Sequence, residues 1–349
     1  MIDNPYSGAP DHAFWSRAVA NLAPDDIRPA VQPGFAIAPT DRVATAGSCF
    51  AQHISRALTA RGYDYLVTET GPEVQGYGVF PARFGNIYCA RQLLQLFQRA
   101  YGLFAPYEGA WRTRDGRVVD PFRPRAHPGG FADAAQMQDD RATHLAAVRR
   151  MFETMDVFVF TLGLTEGWVS ARDGAVFPLA PGVAGGPDDA DHIRPHNFTV
   201  QQTVDDLTAL IDMARALRPD LRVLLTVSPV PLKATFEDRH VLVSTGYSKA
   251  VLRAAAGMVC DALDRVDYFP SYEIVTGLQA GSGLWAADLR TVTPTGVNRV
   301  MAELARAYLD QADTPARTAA PAASAPRPPA DDQHAALAQV ICDEEAIEP

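Results

Sequence analysis

The chain has 349 residues, an apolar fraction of 47% and a formal net charge of −10. It is long enough to bury a full core without disulfide or metal staples, as one large domain or two small ones. The acidic balance argues against a general nucleic-acid binder, which would carry a basic patch, and no stretch reaches the ~18 consecutive apolar residues of a membrane span.

Four cysteines, Cys49, Cys89, Cys260 and Cys342, show no C-x-x-C spacing and no Cys/His cluster. Scattered single cysteines fit reduced thiols, and the N-terminus lacks a basic start followed by an apolar run. The expected compartment is the cytoplasm. No metal and no cofactor is expected.

In chain order, residues 1–40 are rich in Pro, Asp and Gly and read as an N-terminal arm with one helical stretch around "DHAFWSRAVANL". "RVATA" (42–46) is a short strand. Residues 49–60 follow as a helix, with Phe50, Ile54 and Ala57 or Leu58 at helical spacing and Gly62 at its stop. "YDYLVTE" (63–69) reads as a strand, and Ala90, Leu93, Leu94 and Phe97 mark the buried stripe of the next helix. Residues 105–135 read as loops or a small hairpin, and 139–154 as a helix. "DVFVFTL" (156–162) and "RVLLTVSPV" (222–230) are continuous apolar runs, as buried parallel strands require. Between them lie a hairpin with a long Gly/Pro/Asp loop (167–198) and a helix (199–217). "YSKAVLRAAAGMVCDALD" is a helix, "VDYFPSYEIV" a strand with its exit, and "VTPTGVNRVMAELARAYL" holds a final helix.

Strands alternating with helices predict an α/β domain with a parallel central sheet and helices on both faces. The expected division is an arm (1–40), the α/β domain (41–312), an Ala/Pro-rich linker (313–330) and an acidic tail (331–349). In the tail, Ala336, Leu337, Val340 and Ile341 suggest a short amphipathic turn for docking a partner; the alternative is a solvated tail.

Ligands of open α/β sheets lie beyond the carboxyl ends of the strands. That rule selects Gly47-Ser48-Cys49, Gly85-Asn86, Gly163-Leu164-Thr165-Glu166 and Thr226-Val227-Ser228-Pro229. Ser48 has two readings. One is a helix N-cap. The other is a nucleophile presented by Gly47 at a helix N-terminus whose free N–H groups stabilise an oxyanion.

"AGSCFAQHI" resembles the signature of the GSCFA-domain family. The likeness continues through "FGNIYCARQLLQL", "FTLGLTEGW", "HNFTV", "TVSPVPLKAT", "YSKAVLRAAA" and "YFPSYEIV", over roughly residues 40–305. That family is grouped with the SGNH, or GDSL-like, hydrolases. The resemblance implies a three-layer flavodoxin-like SGNH-hydrolase-type fold and esterase or acyltransferase chemistry on O-acyl groups, of carbohydrates above all. It implies Ser48 as nucleophile, or Cys49 if G-S-C is aligned on G-D-S. It implies Gly85, with Asn86 beside it, as second-block donor, and Gly163 with Thr165 and Glu166 in the third block. Thr165 stands where the pattern has the oxyanion asparagine.

The last block, Asp-x-x-His in the pattern, here reads Asp288-Leu289-Arg290-Thr291, so its histidine is replaced by Thr291. A neutral serine needs a base in hydrogen-bond reach. His196, on the long loop, is the first candidate, and His240 the next. Cys49 and His53, at i and i+4, form an alternative pair. His12, His127, His144 and His334 read as surface residues. Arg290 and Asp288 can instead pair and bind an anionic group, and Glu166 with Trp168 can bind a sugar. Lys249 reads as a partner for a carboxylate. The second hypothesis is therefore a catalytically degenerate carbohydrate-binding or assembly protein. No phosphate-cradling glycine motif is present.

Overall fold

The computed structural model describes residues 4–72, 76–309 and 347. The linker and nearly all of the acidic tail, including its amphipathic turn, lie outside the described residues.

The central sheet is built from β1 (Val43–Gly47), β4 (Val157–Leu162), β8 (Arg222–Val227) and β9 (Val266–Phe269). They pair in parallel in the order β1-β4-β8-β9. Every residue of β1 and β4 is buried, which is why these strands read as apolar runs rather than alternating ones. Alternation survives in where the side chains go. Val157 and Val159 join a cluster with Phe50, Ile54 and Leu58 of α1 (Ala51–Ala60, preceded by Phe50) and with Val300 and Leu304 of α7 (Pro294–Leu304). Phe158, Phe160 and Leu162 face the other way. They pack on α2 (Ala90–Ala100), α3 (Ala134–Thr154), α4 (Val200–Leu217) and α5 (Val241–Ala262). The result is three layers, helix–sheet–helix.

The predicted strand at 63–69 is reduced to one parallel bridge, Tyr65 to Val43, on the free edge of β1. Counting it, the chain order across the sheet is 2-1-3-4-5, the flavodoxin-like doubly wound order. Its switch point, where successive connections diverge, falls between β1 and β4. The stretch read as the exit of the last strand is instead a helix, α6 (Ser271–Thr276). α3 starts at Ala134 rather than 139, where Asp133 caps it by accepting from Gln136 N–H. Residues 167–198 form more than a hairpin. β5 (Glu166–Ser170) is flanked by β6 (Val176–Phe177) and β7 (Ile193–Asn197) in an antiparallel sheet. A second small hairpin joins β2 (Trp111–Arg112) to β3 (Val118–Val119).

The arm packs on the edge of the domain through long-range bonds. Ile37 N–H donates to Tyr308 O at 2.8 Å, and Arg222 reaches Ala36 O at 2.8 Å. Among the described residues no helix is long and apolar enough to cross a membrane.

The exit of β1 depends on Gly47. Its φ is +139°, and a Cβ there would sit 2.3 Å from the Thr161 carbonyl oxygen. Gly47→Ala adds left-region strain to a backbone collision, and is expected to cost about 3 kcal/mol or more. Gly246, at an exposed position of α5 with open space around it, is the control. Gly246→Ala is expected to be neutral or to stabilise by up to ~1 kcal/mol. Urea denaturation of the two variants checks both signs.

Candidate functional site at the switch point

Ser48 lies in the turn between β1 and α1. Its N–H donates to Thr161 O at 3.2 Å and its carbonyl accepts from Ala51 N–H at 2.9 Å. The residue before α1 is Phe50, and no side chain caps that helix end. So Ser48 is not a capping serine. Ser48 is only 4% exposed, and its Oγ has no hydrogen-bond partner among the described residues.

That hydroxyl borders a cavity of about 10 Å3, one water molecule's worth, lined also by Cys49, Tyr88, Gly163, Leu164, Ser228 and the 230–232 loop. The walls are the exits of β1, β4 and β8, as the strand-end rule selected. Gly163 is required by close approach: a Cβ there would meet Ser48 Cβ at 3.1 Å and Tyr88 O at 3.2 Å. Lys249, buried in α5, donates from Nζ to Gly163 O at 2.6 Å and so fastens the β4 exit to the helix layer. Tyr88 and Leu232 were not anticipated as lining residues. Both stand inside strings that carry the family resemblance, but only the folding of their loops brings them here.

The remaining predicted residues are placed as follows. Gly85 (φ +73°) and Asn86 line a separate cavity beside Gln52 rather than the one at Ser48. Thr165 is fully buried. Its hydroxyl donates to Asn197 Oδ1 at 2.7 Å and its N–H to Ser248 Oγ at 2.9 Å, which leaves no donor for an oxyanion. Glu166 accepts from Thr235 Oγ1 at 2.7 Å and Phe236 N–H at 3.3 Å. Burial pushes its pKa up, against the Thr235 bond. It clamps the loop after β8, with Trp168 edge-on to Phe236.

Among the described residues no histidine lines the Ser48 cavity, and none hydrogen-bonds Ser48 Oγ. His196 sits in β7. Its Nε2 lies 3.2 Å from Gln202 Oε1, and its ring is edge-on to Phe198 at 4.6 Å. Gln202 also closes the capping box of α4 with Thr199, so His196 is a neighbour of a helix cap and not a base for Ser48. His240 caps α5, with its Nδ1 accepting from Leu242 N–H at 3.1 Å. His53 turns edge-on to Phe50. Burial and Arg56 lower its pKa to about 4, so it is neutral at pH 7 and supplies no imidazolium to activate Cys49. His144, expected at the surface, is buried. Its Nδ1 lies 2.7 Å from Glu69 Oε2.

Asp288 sits on an exposed turn in the loop pinched by the Trp285–Val292 bridge. Its Oδ1 accepts from the Arg290 and Thr291 N–H groups at 3.0 and 2.9 Å, and its Oδ2 from Thr291 Oγ1 at 2.6 Å. Thr291 therefore takes the bond that a histidine in its place would need. The expected relay through Asp288 is closed within its own turn, and the same bonds, with a smaller share from Arg290's charge, hold the carboxyl at a pKa of about 2.

Thr291→Val removes the largest of those contributions. The Asp288 carboxyl resonance, followed by NMR through an acid titration, is expected to titrate near 2 in the parent and closer to the ordinary ~3.9 in the variant. Because the folded-state pKa is depressed, the stabilisation from Asp288 is complete above the ordinary value and is lost as pH falls through about 2. An unchanged titration would remove the Thr291 hydroxyl from this account.

Among the described residues no group of three His, Cys, Asp or Glu side chains could hold a metal ion. A solved structure overlaps 46% of this chain and 67% of its own, at 18% identity and a TM-score of 0.27. No curated protein matches the sequence. The GSCFA family model matches residues 42–304, from the first residue before β1 to the end of α7. That span holds the whole parallel sheet and the glycine-presented serine between β1 and β4, and the chain belongs to the GSCFA family.

Proposed function

We propose that this chain is a non-hydrolytic member of its family, which binds a polar, carbohydrate-type ligand on a frame of the acyl-ester-hydrolase kind. The observation that carries this reading is the state of the two residues the chemistry needs. Among the described residues Ser48 Oγ has no base, and Asp288 has both oxygens occupied by its own turn. A serine hydroxyl without its base loses on the order of 10⁶ in turnover. The oxyanion donors are also missing from the serine's cavity: Ser48 N–H is held by Thr161 O, Thr165 by Asn197 and Ser248, and Gly85 borders the neighbouring cavity.

One observation favours the second reading, a serine esterase or acyltransferase acting on O-acyl groups. A buried hydroxyl left without a partner costs about 1–3 kcal/mol, and Ser48 carries that cost at the switch point of the sheet.

A fluorophosphonate probe with peptide mass mapping separates the two. The non-hydrolytic reading expects no adduct on Ser48, and p-nitrophenyl acetate turnover by the parent no greater than that of Ser48→Ala. A Ser48 adduct, with ester turnover abolished in Ser48→Ala, would overturn it in favour of the esterase.

A further inference from the structure

On the far side of the Gly85–Tyr88 segment from Ser48, a cavity of about 60 Å3 lies against Gln52 of α1 and the loops around residues 76–86 and 123–126. Three arginines line it: Arg83, Arg123 and Arg125. The side chains of Arg83 and Arg123 are only 3% and 2% exposed.

One carboxylate holds these two guanidiniums side by side. Asp140 accepts from Arg83 Nη2 on one oxygen and from Arg123 Nη2 on the other. Arg83 Nη1 donates to Ala126 O at 3.1 Å, and Arg123 Nε to Asp120 Oδ2 at 2.9 Å. Two buried N–H groups are then left over, Arg83 Nε and Arg123 Nη1, and neither has a hydrogen-bond partner. Glu69 Oε1 is 3.7 Å from Arg83 Nε, beyond hydrogen-bond reach.

The charges around the cavity do not balance among the described residues. Arg83, Arg123, Arg141 and Arg99 are linked by ion pairs or by proximity to only three carboxylates, Glu69, Asp120 and Asp140. His144, on Glu69, adds no positive charge, since burial and Arg123 lower its pKa to about 4. Arg99, which burial lowers to about 9, stays charged at pH 7. A buried guanidinium needs a partner for its charge and its N–H groups. Forked donors favour an oxygen pair on a planar or tetrahedral anion.

We propose that this cavity is a subsite for one small oxyanion, a carboxylate or a phosphate, free or carried by a larger ligand, held by Arg83 Nε and Arg123 Nη1 with Arg125 at the mouth. It goes beyond the reading of the Ser48 site and stands whether or not that serine reacts.

The test titrates the full chain with inorganic phosphate and, separately, with acetate. Ionic strength is matched with chloride so that screening is constant. Calorimetry and thermal unfolding report binding. Saturable binding with a rising midpoint in one arm is the expected result, and the arm that responds names the anion. Gln52→Glu puts a carboxylate where the amide now lines the cavity. It is expected to raise the unliganded midpoint and to weaken anion binding by roughly tenfold or more. Arg125→Ala, at an exposed position, gives a second reading if Gln52→Glu does not fold, and is expected to weaken binding. No saturable binding of either anion up to about 10 mM, or binding that both folded variants leave unchanged, would overturn the subsite.

Discussion

The close approach of two backbones at the exits of β1 and β4 is the constraint on which the rest of this structure depends. No side chain fits at Gly47, because the Thr161 carbonyl occupies the space, and none fits easily at Gly163, because Ser48 and Tyr88 do. With both positions reduced to backbone, Ser48 N–H reaches Thr161 O, and Gly163 and Leu164 N–H reach Tyr88 O. These bonds lock three chain segments around one point at the edge of the sheet. Lys249 ties the same point to the helix layer. The serine is thus positioned by what is missing from its neighbours.

In the proposed non-hydrolytic reading, that tight packing accounts for an idle serine. A presented nucleophile needs space in front of it and a base beside it. Here Pro231 and Leu232 of the loop after β8 line the cavity, and no histidine among the described residues does. His196 serves a helix cap, His240 begins another helix, and His144 is buried against Glu69. Thr291 completes the change. A hydroxyl donates to Asp288 as an imidazole N–H would, yet it has no second nitrogen with which to accept a proton.

Charge is concentrated instead on the far side of the Gly85–Tyr88 segment. Asp120 is fully buried, and although burial favours its neutral form, Arg141 and Arg123 hold its carboxyl well below the usual range. Buried ion pairs of this kind contribute little net stability, since desolvation offsets attraction. They fix geometry. Asp140 spaces two guanidiniums, and the α3 helix that carries Asp140, Arg141 and His144 becomes one wall of a polar interior beside a largely apolar sheet.

Much of this was legible in the residues alone. The strands β4 and β8 announced themselves by unbroken apolar runs, and the helices by periodicity, because burial on two faces and on one stripe leave those marks directly in composition. "YDYLVTE" misled because strand-like residues make a strand only where a neighbour offers a full ladder, and here the edge of β1 pairs with Tyr65 alone. "SYEIV" misled because apolar β-branched residues accept a short helix when they follow a sheet exit. His144 misled because polar neighbours along a helix say nothing of what another loop brings against it. Sequence by itself determined the parallel α/β frame, the family and the glycine–serine turn, since each is written in local pattern and in the lack of a side chain. Only the tertiary structure decided which groups meet: that Ser48 lines a cavity of about 10 Å3 to which no histidine among the described residues comes, and that Arg83 and Arg123 share Asp140 beside one of about 60 Å3. Those outcomes rest on distances between segments far apart in the chain, which no local pattern encodes.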